Sequence, residues 1–358
     1  MPRNIVVCCD GTANKFGTRN TNVVHLFRTL VQDPKTQVAY YHPGLGTMGA
    51  PGAWTRTSQW LSRLLGLAFG RGLSDDIGAA YVFLMHHYQA GDKLFLFGFS
   101  RGAYTVRALS GLLHMFGLIR EGNEPLVPYA IQLLTRRGDH AFQVAAHFKA
   151  TFSLPCRPDF VGVWDTVSSV GWFWDPPTIP YSADDPDIAV GRHAIAIDER
   201  RAFFRPNLWW PAGAPPEHGP RDLKQVWFPG VHCDVGGGYP EEQSGLSKIA
   251  LQWMLREAQG HGLKLDEAQV NQVLGVGGSL GYIRPDPTAP IHNSLGPEWW
   301  WAEFIPKKHY DWRTKHWGYR MNLFRRRTIP EHSLIHRSAF ARGVGYPPNK
   351  PAAYTEVD

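Results

Sequence analysis

Residues 94–109 read LFLFGFSRGAYTVRAL: an unbroken apolar run, a serine framed by glycines, then a stretch with helical spacing. An apolar run of this length is a strand buried on both faces, and a strand that becomes a helix within a few residues leaves no room for side chains at the corner. The stretch therefore calls for a sheet covered on both sides, with a tight strand-to-helix turn at one end. The rest of the chain repeats the alternation. Residues 5–9, 37–42, 93–97 and 160–164 read as buried strands, 193–197 as a further one, and 226–231 as the last clear strand, broken by Pro229. Helical spacing covers 21–30, 60–69, 73–88, 103–116, 125–150 and 246–258. The expected fold is one α/β domain over residues 1–358, a mostly parallel central sheet with helices on both faces and inserted loops. Residues 171–222, rich in Pro, Trp and Asp, read as a lid or pocket insertion, and 265–358 as a C-terminal extension.

Hydrophobic residues make up 43% of the chain and charged ones 19%, a balance that supplies a core and excludes a disordered chain or a coiled coil. The formal charge of +6 favours anionic neighbours, but the basic residues are dispersed. Their one compact run, Arg325 to Arg327, lacks the aromatic and glycine pattern of an RNA-binding module, so no nucleic-acid partner is expected. Trp172 with Trp174, Trp209 with Trp210, and Trp299 to Trp301 read either as core fillers or as walls of an apolar pocket or bilayer-facing side chains. Cys8, Cys9, Cys156 and Cys233 lack paired CxxC spacing and read as buried thiols. The opening MPRNIVVCCDGT has no cleavage pattern, and no segment approaches the roughly 20 apolar residues of a membrane span. The expectation is a soluble chain, cytoplasmic as synthesised, whose export would use a route that reads no N-terminal signal.

Gly98-Phe99-Ser100-Arg101-Gly102 fits G-x-S-x-G in the context that gives the pattern meaning, a strand before and a helix after. A serine hydroxyl is a weak nucleophile until an oriented base takes its proton. In α/β-hydrolase-like folds the order along the chain is serine, acid, histidine, each after a later strand. Asp165 ends FVGVWD and His232 ends VWFPGVH, which places the acid and the base. Asp198 and Asp234 are rival acids; Asp198 reads equally as a partner for Arg200 or Arg201. The Cys233-to-Gly238 loop after His232 has little bulk and would let a substrate pass close. The backbone N–H of Arg101 and one from Gly11 or Thr12 are the candidate oxyanion donors, with Asp10 holding its loop.

DGTANKFG with TNVVHLF, GFSRGAYTVRAL, FVGVWDTVSSVG, AIDERR and WFPGVHCDVGGGYPE stand in this order over about residues 3 to 343. The set resembles a bacterial α/β-hydrolase-fold family that includes the Tle-type phospholipase effectors of the type VI secretion system. The resemblance implies a serine esterase or lipase acting through Ser100, Asp165 and His232, without a cofactor, on a lipid or other ester, with peripheral membrane contact. The family's effectors are typically longer, and this sequence ends soon after the motifs, so the resemblance speaks to the hydrolase more than to secretion. Two other readings stand beside it: a lipid- or partner-binding protein that keeps the fold without turnover, and a metal-dependent hydrolase using His232, Asp234 and Asp10.

Overall fold

The computed structural model describes residues 2–11, 17–44, 69–134, 139–167, 179–209, 219–278, 281–311 and 316–358. Among the described residues, eight strands form the central sheet: β1 (Asn4–Cys9), β2 (Gln37–His42), β3 (Lys93–Phe99), β4 (Pro158–Trp164), β5 (Val190–Ala196), β6 (Asp222–Phe228), β7 (Ser333–His336) and β8 (Tyr354–Val357). Their order is β8-β7-β6-β5-β4-β3-β1-β2, and every pairing is parallel. The fold is α/β. β7 and β8 lie beyond the strand expected to be the last; each has four residues, too few to form an apolar run, and β8 is an exposed edge. The predicted 226–231 strand is shifted to β6, because Pro229 and a Gly230 at φ 109° end the ladder at Phe228.

Alternate residues of each inner strand face opposite layers. Ile5, Val7, Leu94, Leu96, Val161 and Val163 pack against helices α2 (Phe69–His87), α3 (Arg101–Phe116), α4 (Val127–Leu134) and α5 (Asp139–Phe152). Val6, Cys8, Phe95, Phe97, Phe99 and Trp164 face α1 (Asn22–Thr29), which precedes α2 in the chain, and the later α7 (Gly245–Gly260). Each fully buried Phe here contributes about 1.5–3 kcal/mol relative to exposure. Arg192 on β5, itself buried, binds Asp222 on β6 at 2.7 Å and Glu257 on α7 at 2.6 Å, clamping strands to helix. Among the described residues no helix is long and apolar enough to cross a membrane. Cys8, Cys9 and Cys156 are buried and unbridged, and Cys233 is half-buried.

Of residues 171–222, β5 is a central strand, while 171–178 and 210–218 lie outside the described residues, with Trp172, Trp174 and Trp210. Trp209 and Trp299 are buried, and Trp300 and Trp301 exposed. The helix expected at 60–69 falls almost wholly outside the described residues; only its last residue, Phe69, is placed, opening α2.

β1 and β3 are neighbours whose onward connections leave in opposite directions, to β2 and to β4, and a crevice opens at such a point beyond the strand ends. Gly236 closes one side. It lies at the end of the short helix α6 (His232–Gly236), and a Cβ there would sit 1.9 Å from the Phe99 ring. Gly236→Ala should therefore cost about 1–3 kcal/mol, read as a lowered thermal midpoint; an unchanged midpoint contradicts this packing.

Candidate active site

Ser100 follows β3 directly, its N–H donating to the Trp164 carbonyl at 3.0 Å before the chain turns into α3. Its backbone sits at φ 58°, ψ −118°, a conformation that costs a non-glycine residue about 1–3 kcal/mol. The flanking glycines make the turn sterically feasible. A Cβ on Gly98 would lie 2.5 Å from the Gly102 carbonyl oxygen, and one on Gly102 would lie 2.2 Å from the Cys9 oxygen of β1. Ser100 occupies the N-cap of α3 without capping it. Its Oγ lies 2.8 Å from His232 Nε2.

His232 opens α6, buried between the rings of Phe99 at 4.6 Å and Phe204 at 4.8 Å. Nδ1 is 2.5 Å from Asp165 Oδ2. Asp165 directly follows β4, its N–H donating to the Ala194 carbonyl at 2.7 Å and its φ at 38°. Burial opposes its ionisation, but the Arg327 charge and the hydrogen bonds from His232 and Arg327 hold the carboxyl well below the usual range. An ionised Asp165 only accepts, so Nδ1 carries the proton and Nε2 is left to accept the Ser100 hydroxyl proton. Burial lowers the His232 pKa, countered by Asp165 and lowered further by Arg201.

The rival acids have other partners. Asp198 binds Arg326 at 2.7 Å, accepts the Gly230 N–H at 2.9 Å and pairs with the Tyr346 hydroxyl, not with Arg200 or Arg201. Asp234 holds the Val231 N–H at 3.0 Å and His292 at 2.6 Å. Asp10 accepts from Thr21 Oγ1 at 2.6 Å, Tyr41 at 2.9 Å and the Gly11 N–H at 2.6 Å. His232, Asp234 and Asp10 thus sit in three separate networks. Gly11, a candidate oxyanion donor, points its N–H at Asp10 in this conformation, and Thr12 lies outside the described residues. The Arg101 N–H stands in the first turn of α3, where backbone donors have no helical acceptor. The glycines after His232 fill a packing role: Gly236 yields to Phe99, and Gly237, at φ 82°, to the backbone at Thr21 and Asn22.

Two residues escape sequence reasoning. Glu199, fully buried in AIDERR beside the rejected Asp198, accepts the His232 backbone N–H at 3.2 Å and Arg201 Nη2 at 2.8 Å. Burial opposes its ionisation, yet Arg201 brings its pKa down to about 2. Arg327 grips Asp165 with both terminal nitrogens, at 2.6 and 3.0 Å. Its only sequence signal is a place in an arginine run 162 positions from its partner.

Residues 3–257 match the family described as T6SS phospholipase effector, Tle1-like, catalytic domain. Over 219 residues the chain is 33% identical to an uncharacterized protein of Saccharomyces cerevisiae, covering 57% of this chain and 32% of that protein. The crystal structure of an uncharacterized protein from Pseudomonas aeruginosa superposes with a TM-score of 0.45 at 21% identity, covering 75% of this chain and 47% of that one. The chain thus spans about a third of the yeast relative and about half of the bacterial structure. By its family match over most of its length, this chain belongs to the Tle1-like phospholipase effector catalytic-domain family of the type VI secretion system.

Proposed function

We propose that this protein is a serine hydrolase that cleaves carboxylic esters of phospholipids through an acyl-enzyme. The observation that carries the reading is the continuous chain from Ser100 Oγ through the imidazole of His232 to Asp165, at 2.8 and 2.5 Å. Membership of a phospholipase effector family supports the substrate class. His232 Nε2 takes the Ser100 proton as Oγ bonds to the acyl carbon, and the carbonyl π electrons move onto oxygen. The Arg101 N–H and the α3 dipole face that oxyanion. Collapse breaks the bond to the alcohol, which leaves with the proton from Nε2. Water then attacks the acyl group, gives its proton to Nε2, and the acid departs as Oγ is reprotonated. Asp165 stays ionised throughout and stabilises the imidazolium. A Gly11 N–H released from Asp10 would supply a second oxyanion donor.

Membrane contact belongs to the same reading. Trp300, Trp301, Phe304, Met321 and Leu323 are exposed, and Phe324 joins their two segments into a platform, its ring 6.3 Å from that of Trp300 and 5.8 Å from that of Phe304. Buried Glu303 knits it together, accepting from Ala202 N–H at 2.7 Å, Asn322 Nδ2 at 2.6 Å and Phe324 N–H at 3.0 Å. Leu323 and Phe324 hold φ of 50° and 60°, a strain that keeps two apolar side chains at a loop corner. Exposed Arg200 and Arg325 border it, which suits anionic headgroups. From the platform, Trp299 packs on Phe204, which packs on His232.

Ser100→Ala should lower kcat on p-nitrophenyl esters and phospholipids by about 10³-fold or more without moving the thermal midpoint; retained activity contradicts the nucleophile. Because burial lowers the His232 pKa from its ordinary value of 6.5, the imidazole gives up its proton more readily than a free one and the neutral base predominates at neutral pH. Thus kcat/KM should rise through a limb below pH 6.5 and then level, and a limb centred above pH 7 contradicts this environment. For the platform, Ser100→Ala protein should co-sediment with phosphatidylglycerol-containing vesicles, and adding Trp300→Ala and Leu323→Ala should weaken that binding about tenfold. Equal binding would remove the platform from the account.

A further inference from the structure

We infer that Arg327, on the segment leading into β7, is a positioning residue for this site: it fixes the Asp165 carboxylate in the orientation that reaches His232 and sets the pH range over which His232 acts as base. The inference rests on the Ser100-His232-Asp165 reading, and Arg327 lies outside the family match, which ends at residue 257.

The geometry is a two-pronged clamp. Nη1 meets Asp165 Oδ1 at 2.6 Å and Nη2 meets Oδ2 at 3.0 Å, parallel bonds that a guanidinium makes and an ammonium cannot. The clamp is itself held, Nη1 on the Ala196 carbonyl at 2.9 Å and Nη2 on that of Phe204, with the side chain only 5% exposed. The Ala196 N–H adds a bond to Oδ1 at 2.9 Å. Without Arg327 the carboxylate would keep one bond on each oxygen and be free to rotate about its last torsion, which is broad for Asp. The segment is anchored on either side: Arg326 binds Asp198, the Arg327 carbonyl accepts Asn349 Nδ2 at 2.6 Å, and Ile329 packs with Ile195, Trp227 and Ile335.

The charge argument is independent of the rotamer argument. Among the described residues, the charged and titratable groups around the His232–Asp165 pair include Glu199, Arg201 and buried His193 on or after β5, Cys233 and Asp234 on the helix of His232, Tyr239 beyond it, and Arg327. Arg201 is matched to Glu199 at 2.8 Å, and Asp234 to His292 at 2.6 Å. Arg327 is the countercharge to Asp165. A lone buried carboxylate at 2.5 Å would stabilise the imidazolium strongly. By taking up part of that charge, Arg327 lets His232 release its proton at lower pH and remain neutral for the next turnover.

The test measures kcat, KM and the acid limb for Arg327→Met and Arg327→Lys on a p-nitrophenyl ester, beside Ser100→Ala and with thermal midpoints. Arg327→Met should lower kcat about tenfold or more with KM nearly unchanged, and move the acid limb up by about one pH unit. Arg327→Lys keeps the charge and loses the fork, so its limb should stay near the wild-type position while kcat falls. A folded Arg327→Met whose limb does not move overturns the electrostatic role, and Arg327→Lys with wild-type kcat overturns the clamp. Should Arg327→Met fail to fold, Arg327→Lys decides alone: a lowered kcat with an unmoved limb supports the inference, and a wild-type kcat or a shifted limb overturns it. An active Ser100→Ala would sink the catalytic reading itself; an inactive one beside wild-type-like Arg327 variants would sink only this inference.

Discussion

A carboxylate buried at the end of β4 accepts four hydrogen bonds, from the Ala196 N–H, from His232 Nδ1 and from both terminal nitrogens of Arg327. Removing such a charge from water costs several kcal/mol unless every lone pair is met. Meeting them here draws together the ends of β4 and β5, the helix after β6 and the segment before β7. The position of His232, and through it the distance to Ser100, follows from satisfying that one group. Glu199 repeats the device one strand along, holding the His232 backbone while Arg201 neutralises it.

The sheet makes this convergence possible. In a parallel array all C-terminal ends lie on one edge, so residues that directly follow β1, β3, β4, β5 and β6 become neighbours although they span more than 200 positions of sequence. Steric economy at the turn then decides which of them can approach. Gly98 and Gly102 are absent side chains where β3, α3 and the end of β1 touch, and Gly236 is absent where Phe99 packs. The strain at Ser100 is borne by these contacts and by the hydrogen bond from its N–H to β4.

Where the sequence carries strong periodicity, it was legible. β2 falls at the residues read from its pattern, and β1, β3, β4 and α3 within a few, because each is an apolar run or amphipathic stretch closed by turn residues. The candidate residues Ser100, Asp165 and His232 could be named because motif context and chain order both constrain them. What stayed hidden depends on partners rather than on local pattern. β7 and β8 are four-residue strands that gain their identity from pairing. Arg327 is one arginine among three in a row, and only the tertiary fold selects which one turns inward: Arg326 meets Asp198 and Arg327 meets Asp165. Glu199 is indistinguishable in sequence from the adjacent Asp198, because position after a strand alone does not say which side chain faces the sheet edge. Of the glycines after His232, legible as missing bulk, Gly236 and Gly237 let the loop pack closely on Phe99 and on the backbone at Thr21 and Asn22, a requirement that depends on the tertiary fold.

Family membership supports a phospholipase, and the hydrogen-bonded chain from Ser100 to Asp165 is what the proposed serine mechanism rests on. The proposed mechanism requires one hydroxyl in the protein to be far more nucleophilic than the rest. Treating the protein with a fluorophosphonate and mapping the adduct by mass spectrometry tests that most directly. The account predicts one phosphonyl group per chain, on the peptide containing Ser100, and none when the protein is first unfolded. Inertness of the folded protein, or an adduct on any other residue, would contradict it.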